Sequence, residues 1–502
     1  MNINEKEFYN KVLGCWMGKN AGGTLGAPME WKRQVNNVSF YTQDMNGEPL
    51  PNDDLDIQLL WLIALEEKGI DINGRTLGEY WQTYVTPFWA EYGAAKINMR
   101  SGLMPPLSGM ANNVFKHSCG AYIRSEIWAC IAPGAPDIAV KYAYEDAIID
   151  HGDGEGVYAE MFAAALESAA FVEKDIDKLI DIALSYIPAE CDCAKAVKLA
   201  CELYAKGTPL LEARDEIIRQ FKGGFHFSVS EEDIAKGLDG GRFGWEVPSN
   251  LALVICGLKY GEGDFGRSLC MTVNCGEDTD CTAATVGAVL GIINGYDYIP
   301  KEWIEPIGTG IKTACLNIGD LGNYGALIPQ DVFSLSDRVV NIAKQVTSKK
   351  DAPLKISSGK TDLSGLSAEL LYAGENTKYI LSHFDGPVYK FDFFNIYIDY
   401  KGDPYIQENK SKSIRVTIEN TYRIPERVNL RWHLPQGFTI SPSQRASAYI
   451  IHRDNGGNVT FDFEITAGDY VENINRLILE ATVEGRSTCM LVPVVLIYNT
   501  QG

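Results

Sequence analysis

The sequence predicts a two-domain protein in which an all-α domain, residues 1–350, precedes a C-terminal β-sandwich, residues 351–502. Three observations support this division. The 502-residue chain is longer than one ordinary hydrophobic core accommodates. Apolar residues recur at helical spacing from residue 4 to residue 347. Beyond Lys350 the pattern changes to short runs of β-branched and aromatic residues.

The helical pattern of the first domain is clearest in six segments that carry an apolar face. The segment that begins at Gly156 is apolar or small on nearly every face, which is typical of a central helix surrounded by others. The predicted helices cover residues 54–68, 136–150, 156–171, 177–187, 192–206 and 279–295.

The second domain reads as antiparallel strands separated by Gly, Asn and Pro turns. Asn455-Gly456-Gly457 is a hairpin turn signal between two of them. No catalytic grouping of His, Cys or carboxylates occurs in this part of the sequence. We therefore assign it to contact with a partner, a carbohydrate or a second subunit, or to a structural role. The predicted strands are 388–398, 413–419, 428–434, 447–452, 459–465 and 491–498.

The composition indicates a globular protein and argues against some classes of binding partner. A chain with 46% hydrophobic and 22% charged residues has the make-up of a globular protein. Its formal net charge of −21 argues against binding nucleic acid or an anionic membrane surface, because both would repel it. Several of the cysteines, such as Cys130, Cys201 and Cys256, fall inside apolar helical patterns, which indicates reduced, mostly buried thiols. With no signal-like start and no apolar run of ~20 residues, we expect a cytoplasmic protein.

Two acidic clusters carry the strongest functional signal. Asn52-Asp53-Asp54 and Asp278-Thr279-Asp280 each precede a helical run. Asp and Asn are also preferred N-caps, so helix capping is the alternative explanation for either cluster alone. A cap needs only one oxygen, whereas a hard cation such as Mg²⁺ or Mn²⁺ requires several. If the fold brings the two helix starts together, the clusters form a binuclear metal site.

A glycine-rich segment near the N-terminus is not a phosphate-binding P-loop. Only three residues separate Gly14 from Gly18, and Asn20 follows Lys19 where a P-loop has Ser or Thr. The segment is instead expected to end a helix and to continue as a glycine-rich loop, residues 22–28, that delivers Glu30. Glycines in such a loop would let the backbone approach a ligand closely.

In their order and spacing these motifs resemble the ADP-ribosylglycohydrolase family. The matching elements lie within residues 10–345 and leave the β domain outside. The resemblance implies an orthogonal all-α fold and hydrolysis of a bond to the anomeric carbon of ribose, with two Mg²⁺ ions, or Mn²⁺ in their place, as cofactors. The elements are Gly18-x(3)-Gly22 through Gly26-Ala27-Pro28-Met29-Glu30, then Asn52-Asp53-Asp54, His151-Gly152-Asp153 and Gly276-Glu277-Asp278-Thr279-Asp280.

The resemblance also implies roles for individual residues. Glu30 matches the acidic residue beside the scissile bond. Asn52 stands where Thr is usual, and Cys281 stands where the last Thr ligand is usual, so either Cys281 or Thr282 replaces that hydroxyl. The implied metal ligands are Asn52, Asp53, Asp54, Asp278, Asp280 and Cys281. The implied substrate-cleft residues are Gly120, Tyr122, Arg124 and His151.

The sequence thus favours a metal-dependent hydrolase that cleaves an N- or O-glycosidic bond to ADP-ribose or a related furanoside. The expected partner is a small-molecule or glycosylated substrate, and the β domain is a candidate site for oligomer contact. A glycosidase for a different glycoside, and a non-catalytic metal- and sugar-binding module, are the alternatives. Cys281 favours the module, whereas Glu30 and the four aspartates favour the enzyme. Trp128 and Trp245 are either a sugar platform or core residues.

Overall fold

The computed structural model describes residues 1–222, 228–241, 246–317, 327–382 and 386–499. It contains two compact units. The first comprises Met1–Lys96 and Asn112–Ser382, and the second comprises Ile97–Ala111 and His383–Gly502. The first unit is helical and the second holds two five-stranded sheets, which confirms the predicted fold class. Among the described residues, no helix combines the length and apolarity needed to cross a membrane.

Each of the six predicted helical segments is a helix in the structure, with ends that differ by at most three residues from the prediction. The α-helices are α1 (Glu5–Gly26), α2 (Asp53–Lys68), α3 (Gly74–Tyr84), α4 (Ala90–Arg100), α5 (Leu107–Met110), α6 (Glu126–Ile131), α7 (Pro136–Ala147), α8 (Glu155–Ala170), α9 (Ile176–Leu184), α10 (Asp192–Ala205), α11 (Leu210–Phe221), α12 (Glu231–Ala235), α13 (Val247–Tyr260), α14 (Phe265–Asn274), α15 (Thr279–Asn294), α16 (Lys301–Ile304), α17 (Val332–Lys349) and α18 (Glu375–Ser382).

The strands of the second unit alternate buried and exposed residues, so that one face of each sheet enters a shared core. One sheet has the order β10-β12-β8-β6-β5 and the other β11-β9-β13-β14-β7. The strands are β5 (Val388–Lys390), β6 (Phe394–Asp399), β7 (Tyr405–Ile406), β8 (Ser411–Asn420), β9 (Glu426–His433), β10 (Thr439–Ser441), β11 (Arg445–Ile450), β12 (Asn458–Thr466), β13 (Ile474–Val483) and β14 (Cys489–Tyr498).

Two short parallel pairs lie in the helical unit. Strand β1 (Asn2–Asn4) pairs with β4 (Lys355–Ser357), which ties the N-terminus to the segment after α17. Strand β2 (Lys32–Arg33) pairs with β3 (Ser228–Val229) just beyond Glu30. Both pairs fix the chain on either side of α1.

Helix α1 packs against α15 at backbone contact distance. A Cβ atom added to Gly14, Gly18 or Gly22 would lie 2.4, 2.0 or 2.1 Å from a carbonyl oxygen of α15. Such distances do not occur between a real Cβ and an oxygen, so only glycine permits this approach. The glycines after residue 21 were expected to form a ligand-facing loop. They instead lie within α1, where their missing side chains make room for α15, or in the case of Gly23 for Asn52, and not for a ligand.

The same contact continues to the C-terminal end of α1. A Cβ on Gly26 would lie 2.2 Å from the carbonyl oxygen of Thr279, and a Cβ on Gly23 would lie 2.3 Å from Asn52 Nδ2. One helix therefore touches the first turn of α15 and the residue that begins α2. This arrangement brings the two acidic segments of the sequence to the same end of α1.

We predict that Gly18→Ala destabilises the helical unit, because its Cβ cannot be accommodated without separating α1 from α15. Overpacking of a close-packed core costs about 1–3 kcal/mol, and backbone atoms yield less readily than side chains. Thermal and urea denaturation should show the loss. The matched control is Gly365→Ala, where the nearest atom to the new Cβ is Met1 Cγ at 3.5 Å. Equal shifts for both variants would contradict the packing explanation.

Candidate metal centre

The acidic segments lie at the starts of two helices. Asn52 caps α2, since its side chain accepts a hydrogen bond from the backbone nitrogen of Asp54 at 2.8 Å. The side chain of Asp278 makes no such capping bond to α15. Helix capping therefore accounts for Asn52 but leaves the carboxylates of Asp54, Asp278 and Asp280 without that explanation.

Glu30 is held beside Asp278 by a set of contacts that the sequence analysis missed. The backbone nitrogen of Trp31 donates to the carbonyl of Glu277 at 3.1 Å. The guanidinium of Arg33 donates from Nε and Nη2 to the two carboxylate oxygens of Glu277, at 2.6 and 3.0 Å. Because Arg33 is only 1% exposed, this bidentate pair is a buried anchor. It fixes the segment after α1 to the residue that precedes Asp278.

Two sets of three potential ligand atoms converge at this place. Asp54, Asp280 and Cys281 form one set, and Glu30, Asp278 and Asp280 form the other, with Asp280 common to both. Within each set all the atoms lie within 4.8 Å of one another. The aspartates and Cys281 are buried, whereas Glu30 is partly exposed. Segments far apart in the sequence thus form one compact acidic cluster.

Several oxygens of this cluster lack hydrogen bonds. Asp54 Oδ2, Asp278 Oδ1 and Asp280 Oδ1 are buried and have no hydrogen-bond partner among the described residues. Burying an ionised carboxylate without compensation is strongly unfavourable. Lys19 Nζ lies 3.9 Å from Asp54 Oδ2, but it donates to the Ile123 carbonyl and to Glu126, each at 2.7 Å. The donor set, oxygen-rich and short of positive charge, fits divalent cations.

Burial and crowding raise the pKa values of these carboxyl groups. Burial, with the charges of Asp280 and Asp278, raises the pKa of Glu30 to about 12. Burial and the neighbouring Asp54 raise the pKa of Asp278 to about 7. The pKa values of Asp54 and Asp280 are raised mainly by burial as well. Binding of a cation would favour the ionised forms and release these protons.

Of the two candidates for the usual hydroxyl ligand, the structure brings Cys281 to the cluster. Its Sγ lies 3.5 Å from Asp54 Oδ1. The hydroxyl of Thr282 instead donates back to the carbonyl of Asp278 at 2.9 Å, within its own helix. A second thiol, that of Cys119, is hydrogen-bonded to Asp278. The cluster therefore contains sulfur where the sequence pattern predicts a hydroxyl.

Comparison with known proteins identifies the family. The family model for ADP-ribosylglycohydrolase matches residues 4–331, which is more than half of the chain. The chain belongs to the ADP-ribosylglycohydrolase family. No curated protein matches the sequence.

A solved structure, the crystal structure of FixG-related protein from Vibrio parahaemolyticus, is similar to part of this ADP-ribosylglycohydrolase family member. It has 8% sequence identity, and the match covers 22% of this chain and 99% of that chain. Its TM-score of 0.18 is too low to support any inference about fold or function.

In this ADP-ribosylglycohydrolase family member, Asp53 and Asp56 belong to neither ligand set. Asp53 Oδ2 accepts a hydrogen bond from the hydroxyl of Tyr92 at 3.1 Å. Asp56 Oδ2 accepts from the backbone nitrogens of Ala314 and Cys315 at 2.6 and 2.7 Å. Asp56 therefore anchors a neighbouring loop. The only sign of this role in the sequence is that Asp56 is a third acid in the run Asp53-Asp54-Leu55-Asp56.

The cleft residues predicted from the sequence separate into two groups. Tyr122 is buried near the cluster, and its hydroxyl has no hydrogen-bond partner among the residues described. Gly120 lies against Glu91, since a Cβ at Gly120 would lie 2.1 Å from Glu91 Oε1. Burial raises the pKa of Glu91 to about 7, and its Oε2 is unpartnered in the described part of the chain. Sequence reasoning missed Glu91 because no motif marks it.

Arg124 and His151 form the second group and have no exposed surface. Arg124 is paired with Asp146 and Asp150 at 2.9 and 2.6 Å and also donates to the carbonyl of Gly120. His151 Nδ1 lies 2.9 Å from Asp150 Oδ1, and its Nε2 lies 3.1 Å from Ser118 Oγ. Both side chains are hydrogen-bonded to the 118–124 segment, Arg124 to Gly120 and His151 to Ser118, and so hold its conformation.

The proposed aromatic platform does not form around Trp128. This side chain is fully buried, and its indole nitrogen donates to Asp146 Oδ2 at 2.9 Å. It also stacks on Tyr142, so it is a core residue. Trp245 lies outside the described residues.

We predict that Mg²⁺ or Mn²⁺ raises the melting temperature of the chelator-treated protein and that Asp280→Asn abolishes the increase. Asp280 belongs to both ligand sets, so its loss weakens both. A ligand at about 100 times its Kd stabilises the native state by about 2.7 kcal/mol. Differential scanning fluorimetry provides the measurement. The control Glu190→Gln removes an exposed carboxylate elsewhere and should retain the increase; retention of the increase by Asp280→Asn as well would exclude the cluster as the metal site.

Stability of the metal-free protein should fall as pH rises. Asp278 has a folded-state pKa of about 7, above the ordinary value of 3.8, so the folded state binds more protons than the unfolded state between these values. The stability that this group contributes is present below about pH 4 and is lost as pH rises through about 7. Urea denaturation in chelator across this range should show a smaller decline for Asp278→Asn than for the unmodified protein. An identical decline would rule out Asp278 as its source.

Proposed function

We propose that this protein is a metal-dependent hydrolase that cleaves an N- or O-glycosidic bond between ADP-ribose, or a related furanoside, and its leaving group. Family membership supports the reaction class. The observation that carries the proposal is the convergence of Glu30, Asp278 and Asp280, whose ligand atoms lie within 4.8 Å of one another. A partly exposed acid beside candidate metal ligands can serve as a general acid or base in hydrolysis.

The metal would be held by the two ligand sets defined above. Asp54, Asp280 and Cys281 would hold one ion, and Asp278 and Asp280, with Glu30 at the rim, would hold the other. Mg²⁺ and Mn²⁺ are our proposed ions for the all-oxygen set. When bound, such ions polarise sugar and phosphate oxygens and make a bound water acidic at neutral pH.

Glu30 is proposed as the acid and base of the reaction. It is the most accessible member of its set, whereas Asp278 and Asp280 are each 4% exposed. In the metal-free site its raised pKa keeps the carboxyl protonated. A carboxyl at this position can give a proton to the leaving-group atom and receive one from water. The Arg33–Glu277 pair keeps it there.

The remaining cleft residues would bind and orient the substrate. Gly120 lies against Glu91, Tyr122 lies near Asp54 and Asp278, and Arg124 and His151 hold their segment in place. The surplus of negative charge favours a cationic leaving group. It also means that the pyrophosphate of an ADP-ribosyl group would need bound cations to approach.

A non-catalytic metal- and sugar-binding module is the second candidate, and Cys281 is the observation that favours it. A glycosidase for another glycoside is the third. An oligomer formed through the β unit remains a proposal, as does a cytoplasmic location. The free state of all twelve cysteines is compatible with a reducing compartment.

Turnover should fall by about 10²–10⁴-fold in Glu30→Gln, because the variant cannot transfer a proton, while metal-induced stabilisation is largely retained. The assay uses Mg²⁺ or Mn²⁺ with ADP-ribosylated arginine or serine peptides and a panel of furanosides. Glu190→Gln is the matched control and should be fully active.

The outcomes separate the candidates. Unchanged activity of Glu30→Gln would remove Glu30 from the mechanism. Tight sugar binding by the unmodified protein without turnover of any substrate would favour the binding module. Hydrolysis confined to furanosides that lack ADP would identify the alternative glycosidase.

A further inference from the structure

The two ligand sets differ in chemical character. Glu30, Asp278 and Asp280 offer oxygen alone, whereas Asp54, Asp280 and Cys281 include a sulfur. Hard ions such as Mg²⁺ bind oxygen and disfavour thiolate, whereas Zn²⁺ and related transition-metal ions bind both. The two positions therefore do not favour the same ion.

Cys281 is fixed in its position by the backbone around it. It is the third residue of α15, and it is 5% exposed. The first turn of α15 lies against α1, since a Cβ on Gly26 would be 2.4 Å from the backbone nitrogen of Asp280. In this turn the Cys281 thiol contacts Asp54, and the Thr282 hydroxyl donates back to the Asp278 carbonyl.

Independent evidence for a ligand comes from the oxygens around this thiol. Asp54 Oδ2 and Asp280 Oδ1 are buried without a hydrogen-bond partner among the described residues. Their carboxyl groups are 1% and 4% exposed and belong to the same three-atom set as Cys281 Sγ. A cysteine that served only as a small apolar residue would not be surrounded by unpartnered carboxylate oxygens.

We propose that Cys281 makes the Asp54–Asp280–Cys281 position selective for a thiophilic divalent ion of the Zn²⁺ class, while the Glu30–Asp278–Asp280 position takes a hard ion such as Mg²⁺. On binding, the Cys281 S–H bond breaks, the sulfur forms a bond to the ion, and the proton passes to solvent. Asp280 serves both positions. The inference rests on the proposed function only in that both require a metal in this cluster.

Cobalt(II) is the probe that tests the proposal, because thiolate coordination gives Co²⁺ an intense near-ultraviolet charge-transfer absorption that oxygen ligands do not give. The full-length chelator-treated protein is titrated with Co²⁺ and followed by absorption, with Mg²⁺ present in excess. The unmodified protein should show the band at one equivalent, and Zn²⁺ should abolish it by displacement. Cys281→Ser, which retains every other cysteine, should lack the band.

Calorimetric titration measures the selectivity. Loss of a group that merely supports a metal ligand weakens binding about 10–100-fold, so Cys281→Ser should weaken Zn²⁺ binding by at least about tenfold. Its affinity for Mg²⁺ should be unchanged or higher. Cys489→Ser is the control, since Cys489 is exposed in the β unit and belongs to neither ligand set. Circular dichroism and thermal melting establish that the variants are folded.

Absence of the band in the unmodified protein, or its persistence in Cys281→Ser, would overturn the proposal. Equal Zn²⁺ affinity in the unmodified protein and in Cys281→Ser would overturn it too. No substrate is used in either titration. Failure here with hydrolysis intact would therefore reject the thiolate ligand alone, whereas a thiolate band without hydrolysis would reject the proposed function alone.

Discussion

The contact between α1 and α15 is the constraint on which the candidate site depends. Their backbones approach so closely that a methyl group cannot be inserted at Gly14, Gly18 or Gly22. The same helix reaches Asn52 through Gly23 and the first turn of α15 through Gly26. Sites built on helices are held more precisely than sites on loops, and here the atoms of each ligand set lie within 4.8 Å of one another.

This precision has an electrostatic cost. Bringing several buried carboxylates together without counter-charge is unfavourable, which is why their pKa values rise in the absence of a cation. The nearby Lys19 donates its hydrogen bonds to the Ile123 carbonyl and to Glu126. The helical packing therefore holds the carboxylates together against their mutual repulsion, and a bound cation would remove that repulsion.

Much of the helical unit and the two-sheet unit could be predicted from periodicity, because apolar spacing reports directly on buried faces. The two acidic clusters could also be predicted as a candidate site, since they hold more carboxylates at helix starts than capping requires. The role of the glycines in α1 could not be predicted, because the sequence does not distinguish a glycine that makes room for a ligand from one that makes room for a neighbouring helix. Nor could the sequence place Glu91, or show that Arg124 and His151 are buried, because these depend on long-range contacts that no local pattern encodes.

Anomalous X-ray diffraction from crystals soaked with Mn²⁺ tests most directly whether the cluster is a metal centre. We expect anomalous density within bonding distance of the carboxylates of Asp278 and Asp280, with Glu30 at the edge of the site. Crystals in which these carboxylates keep their positions but show no anomalous density, at Mn²⁺ concentrations that saturate the thermal stabilisation, would contradict a metal centre here.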